Sequence, residues 1–195
     1  MGRWEPDALG RLQKAALELY GERGFEPTTV SDIAERAGLT ERTFFRYFAD
    51  KREVLFWGSG ALQELFVNAV AGAPASQAPI DAVAAALAAA AGFFEGRVEH
   101  SRQRQAVIAA NPSLQERELI KLASLAAAVA DALRGRGVRD PAAMLTAEAG
   151  IAVFKVAFEI WVGEANERDF AEVVRDALAE LKAVTTAWES AAAEG

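Results

Sequence analysis

Thr28-Thr29-Val30-Ser31-Asp32-Ile33-Ala34-Glu35-Arg36-Ala37-Gly38-Leu39-Thr40-Glu41-Arg42-Thr43-Phe44-Phe45-Arg46-Tyr47-Phe48 holds two helix starts separated by one glycine. Thr29 followed by Asp32 is a capping box with aspartate in place of the usual Glu or Gln, and it opens a short helix that Gly38 ends. Thr40 caps the next helix, which runs to about Phe48. Two short helices crossing through a tight turn need a small residue facing the partner and a glycine in the turn, and Ala34 and Gly38 supply them. Ile33, Ala37, Leu39, Phe44 and Tyr47 fall where the pair and its support bury apolar groups. Glu41, Arg42, Thr43, Phe45 and Arg46 are left for the exposed face, beside Lys51 and Arg52. The pattern is a helix-turn-helix whose second helix suits a DNA major groove.

Upstream, Ala8, Leu12, Ala15, Ala16, Leu19 and Tyr20 recur at helical spacing and Gly24-Phe25 stops the run, which predicts a helix over Asp7 to Arg23. Downstream, Asp50 can cap a helix from Lys51 to near Ala71, weakened midway by Gly58 and Gly60. Those glycines either let the helix bend or allow close packing. Gly72 to Pro79 is a breaker segment, followed by helices over Asp81 to Glu95 and Glu99 to Ala110. Asn111-Pro112 gives an N-cap and a first-turn proline for a helix ending near Arg134, where Gly135 and Gly137 stop it. Asp140-Pro141 starts a helix to about Gly163, and Asn166 to Asp169 opens the last, to about Ala191. The fold class is all-α with about nine helices and no strand: a three-helix domain carrying the helix-turn-helix over residues 1–50 and a helical domain over 51–195.

The chain's net charge of −7 argues at first against nucleic acid. The charge is unevenly placed. Residues 1–52 carry nine basic and nine acidic groups, whereas residues 53–195 carry twelve against nineteen. Between Arg36 and Arg52 five basic residues face two acidic ones, a local surplus of three. With no cysteine and only His100 among histidines, neither a disulfide framework nor a Cys/His zinc site can be built, and no cofactor is expected. His100 reads as a residue at a helix start. Met1 to Asp7 has no apolar run, and Ile80 to Phe94 is too short and too mildly apolar to cross a bilayer, so a cytoplasmic protein without a membrane span is expected.

The series Thr28-Thr29-Val30, Ile33-Ala34, Ala37-Gly38-Leu39-Thr40, Thr43-Phe44-Phe45, Tyr47-Phe48, Lys51 and Leu55 resembles the DNA-binding signature of the TetR family. The resemblance implies a homodimer that sets two recognition helices in successive major grooves of a palindromic operator and is released by a ligand, repression being the default. It places Thr29, Thr43, Tyr47 and Lys51 on phosphates and Arg42, Thr43 and Arg46 at base edges, with Thr40 among the DNA-facing residues. Where the family usually has tyrosine this chain has Phe45, which cannot donate to phosphate and can instead touch a thymine methyl.

In the second half, Arg102-x-Arg104, then Asn111-Pro112-x-Leu114-x-x-Arg117, then Phe158-x-x-Trp161 resembles the TetR subgroup with an acyl-CoA-like ligand-binding domain, implying a fatty acyl thioester. An apolar tunnel lined by Phe66, Phe93, Phe94, Ile108, Phe154, Phe158 and Trp161 would take the chain, with Arg97, Arg102 or Arg104 pairing phosphates at its mouth. Plain core packing is the competing reading of these aromatics. Glu159 is the one obvious carboxylate that could suit a cationic ligand instead.

Two other classes compete. A thioester-binding enzyme would need a nucleophile, and there is no cysteine, no G-x-S-x-G elbow and no glycine-rich phosphate loop. An architectural DNA-binding protein would need a more basic surface. The last two helices carry more apolar residues than one core can bury: Ile151, Val153, Phe154, Ala157, Phe158, Trp161 and Val162 on one, Val173, Val174, Leu178, Leu181, Val184 and Trp188 on the other. They are expected to meet their symmetry mates in a four-helix bundle.

Overall fold

The computed structural model describes residues 7–193, with side chains through Thr185. Trp188 lies outside those described side chains. The described residues form helices and no strand: α1 (Ala8–Arg23), α2 (Val30–Arg36), α3 (Glu41–Tyr47), α4 (Glu53–Phe56), α5 (Ser59–Gly72), α6 (Pro79–Phe94), α7 (Val98–Ala109), α8 (Pro112–Gly135), α9 (Ala142–Val162) and α10 (Phe170–Ala193). The nine expected helical stretches are all present. One of them is divided, because the stretch expected from Lys51 to Ala71 is interrupted at Trp57 and Gly58 into α4 and α5. The interruption falls at the glycine pair, where helix propensity is lowest.

Local chemistry sets most boundaries. Asp7 caps α1 by accepting from Gly10 N at 2.9 Å, and it does so in the left-handed region at φ 68°, which aspartate tolerates better than most residues. Asp50 Oδ1 accepts from Arg52 N and Glu53 N and so caps the entry to α4. Asn111 differs from expectation: its amide turns back to donate to Val107 O of α7 at 2.6 Å. The start of α8 therefore rests on Pro112, whose missing N–H costs nothing there.

The chain divides into two compact units. The first joins residues up to Ser59 with His100–Leu119; the second joins Gly60–Glu99 with residues from Ile120 on. The core of the first is built from Leu12, Ala16, Leu19 and Tyr20 of α1, Ile33 of α2, Phe44 of α3 and Val54, Leu55 and Phe56 of α4. Val107, Ile108 and Leu114 complete it. A return of the chain into a core begun ninety residues earlier cannot be read from local periodicity.

The second core gathers Phe66 and Val70 of α5, Val83, Ala86, Leu87 and Ala90 of α6, Val129 and Leu133 of α8, the apolar face of α9 and Phe170, Val173 and Val174 of α10. On α9, Ile151, Val153, Phe154, Ala157 and Trp161 are buried within this core. The exposed apolar residues of α9 are instead Met144, Leu145, Val156 and Ile160, with Val184 on α10. Over Glu53–Gly72, the stretch of greatest apolar length, Val54, Leu55, Phe56, Phe66 and Val70 are buried, Leu62, Leu65 and Val67 are half-buried, and Trp57 is exposed.

Gly150 fixes the approach of α9 to α6, because a Cβ there would collide with Val83 Cγ1, itself fully buried. Gly150→Ala therefore overpacks the contact at about 1–3 kcal/mol, against a gain of up to about 1 kcal/mol from better helix propensity. Urea unfolding is expected to show a net loss of about 1–2 kcal/mol; a variant as stable as the parent would mean that α6 and α9 can separate freely.

Candidate nucleic-acid interface

The helix-turn-helix is held at each junction by a nameable contact. Thr29 Oγ1 accepts from Asp32 N at 3.1 Å while Asp32 Oδ2 accepts from Thr29 N at 2.8 Å, closing the capping box of α2. At the other end Leu39 N donates to Ala34 O at 2.8 Å and Gly38 N to Glu35 O at 2.9 Å, a Schellman turn. Gly38 sits at φ 65°, and a Cβ there would lie 2.7 Å from the Arg11 guanidinium, which donates to Ala37 O. Glycine is required by the left-handed conformation, whereas the end of the arginine side chain packed on it can move aside. Arg36 forks onto both carboxylate oxygens of Glu22 at 2.9 and 2.8 Å, tying α2 to α1 and drawing the Glu22 pKa below its usual range.

Thr40 Oγ1 accepts from Thr43 N at 3.2 Å and starts α3, whose Phe44 is fully buried. The opposite face presents Glu41, Arg42, Phe45 and Arg46 to the outside, with Thr43 and Tyr47 half-buried beside them. Arg46 lies over the Tyr47 ring at 4.9 Å and donates to its hydroxyl at 3.1 Å, which preorganises the guanidinium. Phe45 is 54% exposed. Thr40, Arg42, Thr43, Phe45, Arg46 and Tyr47 are thus brought together on one short helix and its cap.

Thr29 and Lys51 are engaged within the protein. The Thr29 hydroxyl is taken up by the capping box, donating to Asp32 Oδ2 at 2.6 Å. Lys51 Nζ donates to the carbonyls of Phe25, Glu26 and Thr28, each at 2.9 Å, and lies 4.4 Å from the Phe25 ring. An ammonium has three hydrogens and all are engaged. Tyr20 donates to Lys51 O at 2.7 Å, and burial, then the Asp50 charge, pushes its phenol well above the ordinary value. Lys51 and Tyr20 together bind the segment after α3 to α1 and the loop that follows it. A lysine in a signature position carries no sequence mark that separates this role from a phosphate contact.

The residues expected to bind an effector are split between the units. Phe66, Phe93, Phe94, Phe154, Phe158, Trp161 and Arg97 lie in the second; Arg102, Arg104 and Ile108 lie in the first. In the second unit Phe94 is the hub, with ring centroids at 5.1 Å to Phe93, 6.0 Å to Phe154, 5.4 Å to Phe158, 5.7 Å to Trp161 and 5.2 Å to Phe170. Phe66 meets Phe154 edge-on at 5.8 Å. Phe170 joins this cluster unforeseen; its signal is the spacing Phe170, Val173, Val174, Ala177, one apolar line on the last helix. Arg97 is exposed and stacks on Phe93 at 5.0 Å. Glu159 and His100 are exposed.

In the first unit Ile108 is fully buried core. Arg104 donates from Nε to Leu55 O at 2.7 Å and from Nη1 to Glu118 Oε1 at 3.1 Å, and its guanidinium lies 5.2 Å from the Phe56 ring, so these two nitrogens are engaged inside the unit. Burial draws its pKa down and Glu118 opposes the shift. Arg117, part of the quoted resemblance, pairs with Glu53 of α4.

Lys51→Met keeps the stem and removes three charge-assisted bonds, which predicts a loss of about 2–3 kcal/mol in urea unfolding. If the variant unfolds with the parent yet binds every DNA more weakly and with a lower salt slope, Lys51 is a phosphate contact after all.

Residues 12–56 match the family of bacterial regulatory proteins, tetR family, and residues 77–186 match the MftR C-terminal domain. Over 82 residues the chain is 42% identical to the HTH-type transcriptional regulator TcmR of Streptomyces glaucescens, covering 42% of this chain and 36% of that protein. Over 116 residues it is 33% identical to the putative mycofactocin biosynthesis transcriptional regulator MftR of Mycobacterium tuberculosis, covering 59% and 58%. The matches thus span about a third and somewhat over half of these relatives' own length. Among solved structures, Thermus thermophilus FadR, a TetR-family transcriptional repressor in complex with lauroyl-CoA, shares the fold at a TM-score of 0.52 and 25% identity, over 89% of this chain and 92% of that one. With a helix-turn-helix of the matching residues and a C-terminal match that alone covers more than half its length, this chain belongs to the TetR family of bacterial transcriptional regulators and carries a C-terminal domain of the MftR type.

Proposed function

We propose that this regulator is a repressor: a homodimer that binds a palindromic operator through α3 and leaves it when a long-chain acyl-CoA binds its C-terminal half. The observation that carries the DNA-binding reading is the exposed face of α3, where Arg42, Phe45 and Arg46 stand together over a fully buried Phe44. Arg42 and Arg46 are the base-reading groups, since a guanidinium pairs bidentately with guanine O6 and N7. Residues 1–50 bind DNA and residues 51–195 sense and dimerise. The protein works where its operator is, in the cytoplasm, and as a regulator rather than an enzyme.

The effector reading is supported by the aromatic cluster of the second unit and by the lauroyl-CoA bound to the similar Thermus FadR. Phe66, Phe94, Phe154, Phe158 and Trp161 make an apolar surround for an acyl tail, and Arg97 on Phe93 is the cation for the anionic head. In this structure the rings pack on one another, so a tail must part them and its binding is linked to a conformational change. The exposed Leu145, Val156 and Ile160 recur along one stripe of α9 and, with Val184 of α10, form the surface offered to a second copy. Sedimentation equilibrium at micromolar concentration is expected to find a dimer, and a monomer would remove this part of the reading.

One experiment tests the rest. The full chain is used to select its operator from random DNA, and the parent, Arg42→Ala and Arg46→Ala are compared on operator and random duplexes. Each variant is expected to lose about 1–3 kcal/mol of discrimination. Adding acyl-CoAs of increasing length to the bound parent should release DNA with an affinity rising by about 0.8 kcal/mol per methylene and then levelling. Full discrimination in both variants would sink the assignment of the reading face; binding untouched across the acyl series would sink the effector.

A further inference from the structure

Phe45 is the odd member of the face that meets DNA, because its ring has no polar atom among neighbours that all carry one. Its exposure of 54% is not that of a side chain waiting to fold back into the core. The ring stands edge-on against Phe44 at 5.5 Å and 84°, and Phe44 is fully buried, so Phe45 is held outward by a fixed support. On α3 it lies one turn after the exposed Arg42 and next in sequence to the exposed Arg46, whose guanidinium rests on Tyr47. Such a ring in a major groove can neither donate to a phosphate nor answer the hydrogen-bonding edges of guanine, cytosine or adenine. The one apolar feature that a base pair shows there is the C5 methyl of thymine.

We infer that Phe45 is a specificity-determining residue that packs on a thymine methyl in each half-site, next to the base pairs that Arg42 and Arg46 read. The inference rests on the DNA-binding reading above and narrows it: each half-site must contain a thymine whose methyl, and not its hydrogen-bonding edge, is recognised. A cytosine or uracil at that step leaves the ring facing water or an unmatched amino group.

The test changes the DNA before it changes the protein. With the operator selected by the full-length chain, each thymine is replaced in turn by deoxyuridine, which removes the methyl and keeps the pairing. One position per half-site is expected to weaken binding by the parent about fourfold, the worth of one buried methyl, and both together by about fifteenfold. Phe45→Ala should lose a similar amount on the thymine operator and then be indifferent to deoxyuridine, while Phe45→Leu keeps part of the sensitivity. Both variants should melt with the parent because the ring is outside the core. If no deoxyuridine position weakens the parent, or if Phe45→Ala stays as sensitive as the parent, the ring packs on the sugar-phosphate backbone and the inference is overturned. A chain that enriches no sequence at all overturns the DNA-binding reading and this inference with it, an outcome distinct from normal selection with no methyl effect.

Discussion

A helix of seven residues cannot hold its shape in water, so whatever α3 presents to DNA is set by what grips its ends and its buried side. The grip has three parts. The Schellman turn at Gly38 sets the angle at which the chain leaves α2, and Arg11 closes over that turn by donating to Ala37 O. Phe44 plugs α3 into the core, touching the Phe48 ring at 5.2 Å. Beyond α3, the Lys51 ammonium gathers three carbonyls of the loop between α1 and α2. These carbonyls have no helix or sheet to satisfy them, and a cation serves all three at once. The exposed face can therefore carry residues chosen for DNA alone.

The same unit contains a less forgiving arrangement. Arg104 of α7 is a cation largely removed from water, and it is tolerated there because Leu55 O and Glu118 accept from it and Phe56 lies beneath it. Arg117 of α8 meets Glu53 at the start of α4. Both arginines thus bind the corner between α7 and α8 to the helix that follows the DNA-binding motif. A shift of that corner by an ångström or two would strip a buried cation of its acceptors, so α4 either moves with it or loses the contact.

What could be read along the chain was whatever depends on neighbours in sequence. The capping box of Thr29 and Asp32, the turn at Gly38, the cap at Thr40 and the weak point near Gly58 are all local, and each is visible as residue types at fixed offsets. The faces of α3 follow from the same logic, since burying Phe44 exposes Arg42, Phe45 and Arg46. Lys51, Arg104 and Asn111 were not legible. Each is a long or adaptable polar side chain whose partner is a backbone carbonyl or a carboxylate chosen by the fold, and a carbonyl leaves no trace in a sequence. The apolar surplus on α9 was visible, but its division was not: Val153 and Trp161 turned inward while Val156 and Ile160, equally apolar, turned outward. The effector residues divided for a related reason, because Ile108 and Arg104 belong to a segment that returns to the N-terminal core.

Charge also governs how such a protein meets DNA. The basic surplus between Arg36 and Arg52 shrinks when partners are considered, since Arg36 is forked on Glu22, Arg52 is paired with Asp50 at 2.7 Å and the hydrogens of Lys51 are spent on carbonyls. Arg42 and Arg46 on α3 reach no carboxylate among the described residues, and residues 53–195 carry the whole negative balance. With so few cations per copy, nonspecific attraction to phosphate is small, and little affinity is held on DNA that the reading face does not fit. In the homodimer proposed above, useful affinity would come from two copies engaging two half-sites at once, where the second contact is made at the high effective concentration set by the first. In that proposed dimer the spacing of the two α3 helices would be the sensitive variable, since a modest change in it would remove the gain from the second contact without altering a single residue on the reading face.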